Sequence, residues 1–95
     1  MKTYDWDEDK NEWLKEEREV SFEEIVTALD EGKKLDSYKH PNQEKYPNQE
    51  ILVVEIDNYA YLVPLVEDEE RVFFKTVFKS RQATKKYLKT KRSKS

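Results

Sequence analysis

Apolar residues along this chain change period twice, and the changes mark its elements. Between Val20 and Gly32 they recur at helical spacing, with Phe22, Ile25, Val26 and Leu29 at i, i+3, i+4 and i+7. Ser21 and Glu24 form an S-x-x-E capping box, Val20 and Ile25 a hydrophobic staple, and Gly32, the only glycine, stands where a helix would end. This predicts a helix over about 22–31. From Ile51 the pattern becomes that of strands. Ile51 to Ile56 is a continuous apolar-rich run, Asp57-Asn58 is a two-residue turn that tolerates left-handed backbone, and Tyr59 to Val66 returns. Pro64 lacks a backbone donor, which predicts a bulge or an unpaired edge at that point. After the acidic turn Glu67-Asp68-Glu69-Glu70, residues Arg71 to Phe78 complete an antiparallel meander. Simple alternation puts Val72, Phe74, Thr76 and Phe78 on one face and Phe73, Lys75, Val77 and Lys79 on the other.

The flanks carry weaker periodicity. Lys2 to Trp6 is expected as a short strand. A first helix over about 7–18 has Asp5 as its cap and acids in its first turn. Its narrow stripe is Trp6, Trp13 and Leu14, and both tryptophans are expected in the core. Lys33 to Tyr38 reads as a short strand. His40 to Gln49, where Pro-Asn-Gln-Glu occurs twice, reads as loop. Ser80 caps a last helix running to about Thr90, with Ala83, Tyr87 and Leu88 as its apolar stripe. Lys91 to Ser95 is expected to be a disordered basic tail. The sum is one α+β domain over 1–90: two N-terminal helices packed on an antiparallel sheet, with a C-terminal helix. Phe22, Ile25, Leu29, Val53, Leu62 and Phe74 are its expected core.

Composition narrows the function. With 36% apolar and 41% charged residues, the core is small and the two Trp, six Tyr and four Phe must fill much of it. The absence of cysteine excludes disulfides and thiolate metal sites. No apolar run is long enough to span a membrane, and the acidic N-terminus does not read as a signal peptide, so cytoplasm is the expected compartment. The net charge of −3 hides a division: every acid lies at or before Glu70, and ten Lys/Arg with no acid follow it. Such asymmetry points to a polyanion or an acidic protein as partner; the alternative is a merely solvated basic end.

The chain has no Gly-rich phosphate loop, no H-E-x-x-H and no G-x-S-x-G, so neither metal nor organic cofactor is expected. Two groups of residues remain. One is the strand-to-helix junction with Lys75, Lys79, Arg81, Lys85 and Lys86, where Arg81 and the helix N–H groups are expected to hold a phosphate. The other is His40, Glu44 and Lys45 in the loop. Cleavage of RNA through its own 2′-OH requires a base, an acid for the leaving 5′-oxygen and cations on the phosphate. His40 would donate or accept a proton, Glu44 would supply the base, Lys or Arg the cations, and Tyr87 the acid or a surface on which a nucleobase stacks.

Three motifs, in order and at matching spacing, resemble one family. They are Tyr4-Asp5-Trp6-Asp7 with Lys10-Asn11, Val20 to Glu24, and Ser80-Arg81 followed by Ala83-Thr84-Lys85-Lys86 and Tyr87. The chain is similar in these to BrnT-type toxins of bacterial type II toxin–antitoxin operons, members of the RelE-like ribonuclease fold group. The resemblance spans about residues 4–88. It implies a RelE-like fold and a metal-independent endoribonuclease that acts on mRNA and is neutralised by a cognate antitoxin protein. Glu17-Arg18-Glu19 stands where the family carries Lys-His-Gly, and His40, Glu44 and Lys45 match its His-acidic-Arg segment loosely. The alternative expectation is a non-catalytic RNA- or protein-binding module of the same fold.

Overall fold

A computed structural model describes residues 2–89, so the expected tail at 91–95 lies outside the described residues. Strand β1 (Thr3–Asp5) leads into α1 (Glu8–Glu17), which is capped by Asp7 rather than by the expected Asp5. The Asp7 carboxylate accepts the N–H groups of Asp9 (2.8 Å) and Lys10 (3.2 Å). Asp5 cannot cap because it belongs to β1, where it accepts the Trp6 N–H and pairs with Arg71 at 2.9 Å. Of α1, Leu14 and Asn11 are buried. Trp13 corrects an expectation: it is 40% exposed, with Lys10 (4.1 Å) and Arg18 (4.7 Å) over its ring.

Helix α2 (Phe22–Asp30) follows the sequence pattern closely. Ser21 Oγ accepts the Glu24 N–H and the Glu24 carboxylate accepts the Ser21 N–H, both bonds of the capping box. Val20 and Ile25 are buried as a staple requires, and Gly32 takes φ +74° just past the end. The two helices are pinned together by Asn11. Its fully buried amide accepts the Phe22 N–H and donates to Glu23, each at 2.8 Å.

The strands are β2 (Lys34–Lys39), β3 (Gln49–Ile56), β4 (Tyr59–Glu67), β5 (Arg71–Phe74) and β6 (Phe78–Lys79). They form a six-stranded sheet in the order β1-β5-β4-β3-β2, with β6 also paired to β4. β3, β4 and β5 make the expected antiparallel meander, and β2 extends it. The sheet is nevertheless mixed, because β1 lies parallel to β5. Asp57 (φ 53°) and Asn58 (φ 64°) form the left-handed two-residue turn between β3 and β4.

Two bulges decide which side chains share a face. The expected single strand 71–78 is broken. Leu65 opposes Phe74 and Leu62 opposes Phe78, so the outer chain carries one extra residue. Lys75 N–H donates to Pro64 O at 2.8 Å, which turns the ring nitrogen of Pro64 toward this bulge, where no donor is needed. Arg18 reaches the same place and donates to Val77 O at 2.7 Å. The slip reverses the later faces: Val77 is fully buried with Phe74, while Phe78 is 38% exposed. The second bulge lies in β2, where Lys34 opposes Val54 and Asp36 opposes Val53. Leu35 and Asp36 therefore both belong to the Val53 side.

The sheet is covered on both sides. α1 and α2 pack on Leu52, Val54, Val63, Leu65, Phe74 and Val77, with Trp6 and Phe22 stacked on Phe74. On the other side Ala83, Tyr87 and Leu88 pack on Val53, Ala60, Leu35 and Leu62. Among the expected core residues, Leu29 and Leu62 are half-buried and the other four buried. Among the described residues no helix is long and apolar enough to cross a membrane.

Candidate nucleic-acid interface

The C-terminal segment is fixed to the sheet before any cation is placed. Ser80 N–H donates to Ala60 O, and the buried Thr84 hydroxyl accepts the Ala60 N–H (2.9 Å) while donating to Ser80 O (2.7 Å). Ser80 Oγ caps the new helix through the Ala83 N–H. That helix, α3 (Arg81–Thr84), is one turn long and continues as a π-helical turn over Lys85–Lys89. The wider turn accompanies Tyr87 as its hydroxyl donates to Asp36 Oδ2 at 2.5 Å. Asp36 faces it because of the bulge in β2, and its other oxygen accepts the Ser37 N–H at 2.8 Å. The Tyr87 bond, and then the Ser37 bond, hold the Asp36 carboxyl below its ordinary value. The same bond to Asp36 pushes the Tyr87 phenol up to about 12.

A cleft of about 370 Å³ opens at this contact, lined by Asp36, Tyr38, Leu62, Gln82, Lys86 and Tyr87 among others. A larger groove of about 550 Å³ lies between α2 and the β3–β4 turn. Its lining includes Glu23, Glu24, Glu31, Glu55 and Asp57, a charge that repels a polyanion.

The expected site residues divide among three places. Lys86 and Tyr87 line the cleft, whereas Arg81, exposed at the start of α3, is not among its lining residues. Lys85 is exposed on the same segment. Lys75 lies over the Phe73 ring, whereas Lys79 lies over Tyr59 on the opposite face, opposed to Tyr61. Simple alternation had put Lys75 and Lys79 together; the bulge separates them. Lys75, Lys79, Arg81 and Lys86 form no ion pair with the described residues.

His40, Glu44 and Lys45 stand elsewhere. His40 N–H donates to Gln49 O at one end of β3, while Ser80 is bonded to Ala60, which opposes Glu55 near the other end. Six residues of strand separate these points, roughly 20 Å at about 3.3 Å per residue. The structure therefore does not join the His40 group to Arg81 in one site. His40 serves the loop: its Nδ1 accepts the Asn42 N–H at 3.0 Å and its ring packs on Tyr46 at 4.4 Å. Lys45 lies over the same Tyr46 ring, and Glu44 is exposed.

Asp36 and Tyr38 are the site residues that sequence reasoning missed. Both belong to an edge strand read only as a short strand, and an extra residue in a strand leaves no mark on the hydrophobic pattern. Among the described residues no three side chains of metal-ligating type converge. No protein-family model, no curated protein and no solved structure matches the chain.

Proposed function

We propose that this domain acts on single-stranded RNA as the toxin component of a toxin–antitoxin pair, in keeping with the family it resembles. The observation that carries the proposal is the junction itself. Lys86, without an ion pair among the described residues, lines a cleft that holds a carboxylate, a phenol and the half-exposed ring of Tyr38, and Arg81 is exposed on the same helix at its start. Exposed cations attract the phosphates, and aromatic faces accept unstacked bases. In cleavage, Arg81 and Lys86 would stabilise charge building on the phosphate. Tyr87 would give the proton to the leaving 5′-oxygen only by releasing its hydrogen bond to Asp36, the bond that pushes its phenol up to about 12. A cognate antitoxin of acidic or amphipathic character would cover the same cations and exclude RNA.

The second version is a binding module that does not cut. It is favoured by the roughly 20 Å of strand between the point where His40 bonds β3 and the point level with Ser80, which separates His40 from Arg81. One experiment addresses both. Wild type, Arg81→Ala and Tyr87→Phe are produced without antitoxin, and retention and cleavage of a single-stranded RNA are followed. The toxin reading expects cleavage by wild type and its loss in both variants. Retention without cleavage identifies the binding module, and neither retention nor cleavage ends the RNA proposal.

A further inference from the structure

We propose that the cleft between β2 and the C-terminal helix is a nucleobase pocket selective for guanine. The base stacks on Tyr38, its N1–H and exocyclic amino group donate to the Asp36 carboxylate, and Lys86 holds the attached phosphate. The pocket names the RNA feature recognised, and so rests on the RNA reading of this face.

Its parts are already oriented. Tyr38 is 40% exposed and lines the cleft, where an aromatic ring can take a stacked base. Asp36 is fixed by two donors, one on each oxygen: the Tyr87 hydroxyl and the Ser37 N–H. An ionised carboxylate has about four acceptor positions. Each oxygen therefore keeps one acceptor position for a donor on the base. The carboxyl is held below its ordinary value, so the acceptors stay charged at neutral pH.

Only guanine among the four bases presents two adjacent donors on its Watson–Crick edge. Adenine and cytosine each set a single amino donor beside a ring acceptor, which would face a carboxylate oxygen. Uracil offers one N–H between two carbonyl oxygens, and both repel the carboxylate. The cleft, at about 370 Å³, has room for a purine. The β2 bulge explains the placement, since it turns Asp36 toward this face directly after Leu35. Bulges re-aim side chains beside functional sites.

The test is titration of the full chain with the four ribonucleoside 5′-monophosphates, following the ring resonances of Tyr38. The expected result is roughly tenfold or greater preference for GMP over the other three, the scale of one good bidentate contact. Asp36→Asn should abolish that preference, because an amide offers one acceptor and one donor. Unchanged Asn11 and Phe22 amide resonances, on the other side of the sheet, would show that the variant is folded. Tyr38→Ala should weaken all four nucleotides together. Equal affinities, preference for another base, or GMP preference retained in Asp36→Asn would each overturn the pocket. Retention of a single-stranded RNA with no nucleotide response at Tyr38 overturns the pocket but leaves the RNA reading. Failure to retain either overturns both.

Discussion

The two sides of the sheet are built in different ways. On the α1/α2 side, apolar bulk and internally satisfied polar groups hold the structure. Trp6, Phe22 and Phe74 stack with centroids 5.5 to 6.3 Å apart, and Asn11 satisfies the start of α2. On the C-terminal side the apolar contact is smaller, centred on Val53, Ala60 and Ala83. Polar bonds from Thr84 and Tyr87 complete it. Most residues that carry the family resemblance belong to the first kind of structure. Trp6 stacks, Asp7 caps, Asn11 bridges, and Val20 to Glu24 build one helix start. Ala83 and Thr84 are likewise anchors. A resemblance in such residues bears on how the chain folds, while the exposed cations and the Asp36 cleft bear on what it binds.

This contrast breaks most readily at Phe74. It is 1% exposed and contacts Tyr4, Trp6 and Phe22. Phe74→Ala should cost about 3–5 kcal/mol, as large aromatic truncations in cores do. Urea denaturation measures the loss. Comparable stability in the variant would mean that the α1/α2 side does not dominate the fold. Asn11→Ala comes next. It leaves the buried Phe22 N–H without an acceptor and removes the amide that lowers the Glu23 carboxyl, for about 1–3 kcal/mol. If it unfolds at the wild-type midpoint, Asn11 is not the pin described above.

The same contrast separates what could be read from sequence from what could not. α2 was legible because every signal for it is local: cap, staple, stripe and glycine lie within thirteen residues. The β3–β4 turn was legible because Asp and Asn tolerate left-handed backbone, and Pro64 correctly marked a bulge. The parallel partner of β1 was not legible, since three residues carry no period that identifies a distant strand. Neither were the two bulges. Each shifts faces by one residue, sending Lys79 away from Lys75 and bringing Asp36 to Tyr87, without altering composition. Arg81 and Tyr87 were named from the sequence; Tyr87 lines the cleft, whereas Arg81 lies exposed at the start of α3 and does not. His40 was assigned to the same chemistry by residue type and a loose match to the family, and it is bonded six residues along β3 from the point level with Ser80.

The exposed cations sharpen the contrast from the other side. Arg81→Ala and Lys86→Ala should leave the unfolding midpoint nearly unchanged, because neither side chain enters a described ion pair or the buried core. Each should instead flatten the salt dependence of RNA binding, by about 0.7 in the slope of log K against log salt per phosphate contact removed. Lys10→Ala, beside Trp13 on α1, should not alter that slope. A slope that responded equally to Lys10 would mean that RNA follows net charge rather than the junction.

The smallest effect expected is also the most specific to the C-terminal side. Tyr87 and Asp36 share one hydrogen bond, and folding shifts the two groups in opposite directions. The phenol rises from an ordinary 10.0 to about 12, so the fold favours its protonated form. Its contribution to stability is full below pH 10 and is lost as pH rises from there through about 12. The Asp36 carboxyl is lowered from an ordinary 3.8, so its contribution is present above that value and is lost as pH falls through the lower folded one. Between these limits the bond between β2 and the C-terminal helix should be indifferent to pH. Tyr87→Phe removes the bond, and with it the alkaline flank and part of the acid one, since the Ser37 N–H still holds Asp36 down. Stability measured against pH in wild type and in Tyr87→Phe should therefore run parallel through the neutral range and converge toward each extreme. A difference that grows toward either extreme would mean that the Tyr87–Asp36 bond is not what ties the C-terminal helix to β2.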